Sequence, residues 1–181
     1  MTTENILPGM LDNSIEYFNH EEDVFVLKNG KVTPFEQMEH PDLQIIIDTD
    51  DKLKKVLSSM CNGNKFKMLK KLAKCRFGAL NFEPDFKGNE INHEFIECQN
   101  RDKCIGCNIV CKPPIINGEQ SSYEELQIMR ELCSNDKNSA IASNLGYKQG
   151  TFNVLKTKIY NKFNLITKQQ LTKTLMRGGV L

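Results

Sequence analysis

The chain has 181 residues, of which 39% are hydrophobic and 26% charged, and a formal net charge of +1. That length exceeds one small domain and leaves room for two. No run of about 18 apolar residues exists to span a bilayer, and the start, Met1-Thr2-Thr3-Glu4-Asn5, lacks the basic and apolar regions of a secretion signal, so a cytoplasmic protein without membrane contact is expected.

Taken in chain order, the first pattern is Val24-Phe25-Val26-Leu27, then Asn29-Gly30, then 32–35. This predicts a β-hairpin, because Asn-Gly supplies the two positive backbone angles of a tight turn. Residues 43–47 read as another strand. Helical spacing follows in Leu53, Val56, Leu57 and Met60 and in Phe66, Leu69, Leu72 and Ala73, which predicts helices over 51–60 and 65–74. Mixed periods of this kind give an α+β domain over 1–112.

Five of the seven cysteines, Cys75, Cys98, Cys104, Cys107 and Cys111, fall within 37 residues, the last four separated by five, two and three residues. In a reducing compartment such grouping favours metal ligation over disulfides. Four thiolates suit tetrahedral zinc, whose binding also supplies folding energy to a segment with little apolar content. The spacing Cys104-x2-Cys107-x3-Cys111-Lys112-Pro113 also fits the end of a bacterial iron–sulfur motif, although the first gap is five where that motif has two. Spacing alone favours Cys104 and Cys107 as a zinc-knuckle pair, and His93 stays open as a substitute ligand. Cys61 and Cys133 sit in helical apolar patterns and read as small packed hydrophobes.

Residues 113–120 read as a linker, since Pro113-Pro114 forbids helix continuation. The last domain, 121–181, opens with Ser121 and Ser122 placed three residues before Glu124 and Glu125, a doubled capping-box signal. Leu126, Ile128, Met129, Leu132 and Cys133 then form one apolar face. A short second helix carries Ile141, Ala142 and Leu145 and ends at Gly146. In a third, Phe152, Leu155, Ile159 and Phe163 recur at three- and four-residue steps, with Asn153, Lys156, Thr157 and Tyr160 on the other side. Thr167 with Gln170 starts a fourth, containing Leu171 and Leu175 and stopped by Gly178-Gly179.

Charge is divided unevenly along the chain. From Lys137 to the end there are seven lysines, one arginine and no acidic residue. That segment carries +8 and, against a total of +1, leaves −7 before it. A basic end suits a nucleic-acid phosphate backbone. Within the third helix, Asn153, Lys156 and Thr157 are placed to reach base edges in the major groove of double-stranded DNA. Lys148, Gln149 and Thr151 lie at its start, Tyr160 on the same side, and Lys158, Lys162 and Lys168 suit phosphates.

The stretches 125–133, 138–147 and 151–165 resemble the helix-turn-helix domain of LuxR (GerE-type) transcription regulators, covering about a third of the chain. Ala140 stands where that family commonly has an acidic residue, and Leu155 where a polar one is frequent. The resemblance implies a four-helix DNA-binding domain, a recognition helix over about 150–163, and homodimerisation through a fourth helix over about 168–176, for which Leu171 and Leu175 are the candidates. The run Cys75-Arg76-Phe77-Gly78-Ala79-Leu80, ahead of a cysteine-rich loop and such a domain, is similar to uncharacterised regulators of Bacteroidetes type. That resemblance implies Cys75, Cys98, Cys104 and Cys111 as ligands and Cys107 as the spare.

Enzyme readings have little support, because His20, His40 and His93 are scattered and no phosphate-binding glycine loop or nucleophile setting is present. The expectation is a non-enzymatic, sequence-specific transcription regulator with a metal-stabilised α+β domain and an all-α DNA-binding domain. Its alternatives are an iron–sulfur redox sensor, a small sigma-factor-like protein and an adaptor engaging RNA polymerase.

Overall fold

Three antiparallel strands open the computed structural model, which describes residues 6–181: β1 (Glu16–His20), β2 (Asp23–Lys28) and β3 (Lys31–Pro34), in that order. Asn29 and Gly30 join β2 to β3 with φ of 51° and 73°, the angles of the two-residue turn that their identities predict. Strand β1 has no such signal. Its Glu16 is fully buried beside Tyr17, which breaks the alternation by which a half-buried strand is recognised.

Residues 43–47 are not a strand but lie within helix α1 (Pro41–Thr49). Pro41 takes the first helical turn, where its missing N–H costs nothing. Leu43 and Ile47, four residues apart, are buried, while Ile45 between them is 61% exposed, a helical and not a strand period. Helices α2 (Asp51–Cys61) and α3 (Lys65–Arg76) follow. Each starts on a side-chain cap: Asp50 accepts from Leu53 N, and Asn64 from Lys67 N. Their apolar faces close over the sheet around Tyr17, Phe35, Leu53, Leu57, Leu72 and Phe77. Each large side chain buried there contributes about 1.5–3 kcal/mol. Phe66, expected on the inner face, is 42% exposed and only its ring edge meets Phe35.

Beyond α3 the chain is largely irregular, apart from the short hairpin of β4 (Phe86–Lys87) and β5 (Glu90–Ile91). Two compact units divide the chain, 1–112 and 113–181. Residues 113–120 carry their own hairpin, β6 (Ile115–Ile116) with β7 (Glu119–Gln120). It belongs to the second unit: Ile116 is buried, and Asn117 Nδ2 donates to the carbonyl of Phe163 at 2.7 Å.

Four helices complete the second unit: α4 (Tyr123–Leu132), α5 (Asn138–Asn144), α6 (Gln149–Lys162) and α7 (Lys168–Arg177). Ser122 and Glu125 make a full capping box on α4, whereas Ser121 is buried and its hydroxyl donates to the carbonyl of Pro114. Gly146, at φ 74°, turns the chain after α5. Thr167 caps α7, but the Gln170 side chain reaches back to Ile166 N, one residue short of a capping box. Helix α4 packs against α5, α6 and α7, and Leu126, Met129, Phe152, Phe163, Leu171 and Leu175 are each fully buried. The chain is thus of mixed α+β class, and no helix of the described residues is long and apolar enough to cross a membrane.

Candidate nucleic-acid interface and cysteine loop

Helix α6 has its inner side fixed by Phe152, Ile159 and, just past its end, Phe163, all buried. The opposite side therefore points outward, and there Thr151, Asn153, Val154, Thr157, Lys158 and Asn161 are exposed. Gln149 Nε2 donates to Asn153 Oδ1 at 3.2 Å, and Thr157 Oγ1 to the carbonyl of Asn153 at 2.9 Å. These contacts pre-order the polar ridge. At the start of α6, Lys148 is exposed and no side chain caps the helix, so the first N–H groups keep their affinity for an anion. Lys156 and Tyr160 lie at the flank of this face, half-buried, with the ammonium 5.7 Å from the ring centroid.

Lys162 is differently engaged. Its Nζ lies 2.9 and 2.8 Å from the two carboxylate oxygens of Glu125, the same residue whose carboxylate accepts from Ser122 N in the α4 cap. One glutamate therefore ties the start of α4 to the end of α6 through a lysine that remains exposed. Lys168 Nζ donates to the carbonyl of Ser134. Sequence reasoning missed Val154, 54% exposed in the middle of the outward face; a valine there interrupts the polar pattern, and only the orientation of the helix reveals it. Leu171 and Leu175 are 0% exposed within the unit, so their one-turn spacing lies on the inner side of α7.

In the first unit the cysteine loop is anchored by Arg76, a 2% exposed side chain at the end of α3. Its Nε donates to the carbonyl of Val110 at 2.8 Å and Nη2 to that of Ile109 at 2.5 Å. Gly106 is pressed against α2 and Val110, since a Cβ there would come within 3.0 Å of Met60 Sδ and of Val110 Cγ2. Gly106 N–H donates to Cys104 Sγ at 3.4 Å, Cys111 Sγ lies 3.8 Å from the Gly106 carbonyl, and a bridge pairs the backbones of Cys107 and Cys111. Burial pushes the Cys75 thiol up to about 11, and the charges of Cys111, Cys98 and Cys104 add to that push while Lys71 opposes it. The Cys107 thiol is raised by burial, then by Cys111 and Cys104. Cys98 is exposed. As placed, no three His, Cys, Asp or Glu side chains among the described residues are gathered closely enough to hold a metal ion. His93 packs beside Phe77 and is held down to about 4 by burial, Arg76 and Lys112. Cys61 is buried as expected of a packed thiol, and Cys133 is half-buried.

A third feature had no sequence signal. Glu16, Asp85 and Glu94 are 0%, 0% and 3% exposed. Glu16 accepts from Asn81 N and Asp85 N, Asp85 Oδ2 from Tyr17 N, and Glu94 from Ala79 N and the Asn81 side chain. Burial pushes Glu16 up to about 8 and raises Asp85 and Glu94 well above the carboxylate range, helped in both by mutual repulsion. These residues are scattered over 79 positions and meet only through tertiary packing.

Compared with known proteins, the chain matches no family model, no curated sequence and no solved structure.

Proposed function

We propose that this chain is a sequence-specific DNA-binding transcription regulator, with α6 as the helix that enters the major groove. The observation that carries the reading is the outward face of α6, polar along Thr151, Asn153, Thr157 and Asn161 with Lys148 and Lys158 at its margins, inside a segment free of acidic residues from Lys137 onward. An asparagine can pair bidentately with adenine, and the exposed Val154 offers an apolar contact to a thymine methyl group. The lysines supply the phosphate contacts that set register. The resemblance of 125–165 to LuxR-type domains supports the same helix in the same role. In this reading the first unit is the regulatory, metal-stabilised part. Homodimerisation, which that resemblance implies, has to use the outer side of α7, where Met176 is 61% exposed, because Leu171 and Leu175 are interior.

Selection of duplexes from a randomised pool by the full-length chain tests the proposal. A preferred motif should emerge. Asn153→Ala should lower the preference for that motif over mismatched duplexes, by about 1–3 kcal/mol at one position, and Lys158→Ala should weaken binding to all duplexes alike. Recovery of a random pool, with both variants binding like the parent, would overturn it.

A further inference from the structure

A second stretch without acidic residues lies in the first unit. Residues 52–82 hold eight lysines and one arginine and neither aspartate nor glutamate, although acidic residues outnumber basic ones over 1–112. The lysines all fall on α2 and α3, which pack on each other across the turn 62–64. Leu53, Leu57 and Cys61 are the buried positions of α2, and Met68, Leu72, Ala73 and Arg76 those of α3, so every lysine lies away from the core. Three of the eight have carboxylate partners: Lys54 with Asp48 at 2.8 Å, Lys70 with Asp23 at 2.9 Å and with Glu36, and Lys74 with Glu22 at 3.3 Å. The other five form no ion pair among the described residues. Lys52, Lys55, Lys65 and Lys67 are exposed and Lys71 is half-buried.

This charge works against the helices that carry it. Lys67 and Lys71 are one turn apart, and like charges at that spacing destabilise a helix. The first turn of α3 holds Lys65 and Lys67 and no acidic residue, where the positive end of a helix favours the opposite sign. Helix α4, by contrast, places Glu124 and Glu125 there. Neither the core nor the helix gains from five unpaired cations, whereas an external polyanion draws on all of them.

We infer that the outer side of the α2–α3 hairpin is a second contact for the DNA phosphate backbone, made through Lys52, Lys55, Lys65, Lys67 and Lys71.

The inference rests on the DNA reading above and adds a sequence-independent contact to it. Ammonium groups on flexible stems neutralise phosphates without selecting bases, so α6 reads the sequence and the hairpin strengthens binding to any duplex. Two contacts on one chain reinforce each other, because once one forms the other is held at high effective concentration. A membrane of acidic lipid fits less well. Phe66 is the single large apolar side chain exposed on the two helices, with its ring edge against Phe35, and attachment to a membrane surface needs a broad apolar face beside the charge.

The test measures the affinity of the full-length chain for a mixed-sequence duplex across salt concentrations, beside two double variants with the same change in net charge. Lys55→Gln with Lys67→Gln removes two unpaired ammonium groups and should lower the slope of log K against log salt by about 0.9 for each phosphate no longer neutralised, about 1.8 in all. Its denaturation midpoint should stay or rise as like-charge repulsion is relieved, which separates lost binding from lost folding. Lys54→Gln with Lys74→Gln removes two ammonium groups that carboxylates hold and should leave the slope near that of the parent. Equal changes in the two double variants would show an effect of net charge alone and overturn the inference. An unchanged slope in the first variant, with Lys158→Ala still lowering it, would overturn the inference and leave the DNA reading intact. A parent chain that binds no duplex would overturn both. Loss of binding to phosphatidylserine vesicles in the first variant, with duplex binding unchanged, would replace DNA by a membrane as the partner of this surface.

Discussion

Asp85 shows how much of this molecule is decided by single side chains that the sequence does not single out. Its Oδ2 accepts from Tyr17 N at 2.6 Å, while its Oδ1 is buried without a hydrogen-bond partner. A neutral carboxyl tolerates that position; an anion would forfeit its solvation there. With Glu16 and Glu94 beside it, folded-state pKa values are raised, so between about pH 4.5 and 8 the folded chain holds protons that the unfolded chain has released. Stability from these groups is complete below the unfolded values and is lost as pH rises through the folded ones. His40 and His93 act in the opposite sense. Their depressed values withdraw stability as pH falls below about 6.5. The expected result is a denaturation midpoint that falls from pH 6.5 to pH 8.5. Asp85→Asn keeps an acceptor for Tyr17 N but cannot ionise, so it should flatten that decline. One pKa unit is worth about 1.4 kcal/mol, which urea titrations at the two pH values resolve. A parent chain equally stable at both would refute the assignment of these carboxyls as neutral.

Helix α7 is the element whose reading changes most once its neighbours are known. A one-turn repeat of leucines looks the same whether it lines a dimer seam or an intramolecular core, because periodicity identifies a face and not what covers it. Here α4 covers it. Leu171→Ala should therefore destabilise the chain by about 2–5 kcal/mol in a denaturant titration, with no change in the concentration dependence of its mass in sedimentation. A shift of the mass toward monomer at unchanged stability would return Leu171 to an interface. The same limit explains α1: an apolar run of five residues fits a strand or a buried helix, and the arbitrating signal was Pro41 just ahead of it. Where the local chemistry is specific, the sequence was enough. Asn29-Gly30 marked its turn, Ser122 with Glu125 its cap, and Phe152 with Ile159 and Phe163 the inner side of α6.

Across the whole chain, the legible parts are those in which one residue type has one physical use. The hairpin, three of the seven described α-helices by their caps or glycine stops, and the grouping of cysteines are of this kind. The Glu16–Asp85–Glu94 cluster, the buried Arg76 and the engagement of Lys162 by Glu125 depend on residues brought together over long separations, and no local pattern encodes them. The two units also divide the chemistry. The second, 113–181, carries the cationic excess and the exposed polar helix face; the first carries six of the seven thiols and the three buried carboxyls. Such a division suits a protein that reads DNA with one unit and is regulated through the other. The DNA contact proposed for the second unit is measured by the affinity of the full-length chain for a mixed-sequence duplex at several salt concentrations. Binding should weaken steeply with salt, with log K falling by about 0.9 per neutralised phosphate for each decade of salt, and Lys158→Ala should give a shallower slope. Absence of binding at about 50 mM salt, where a basic DNA-binding unit should hold any duplex, would contradict that contact.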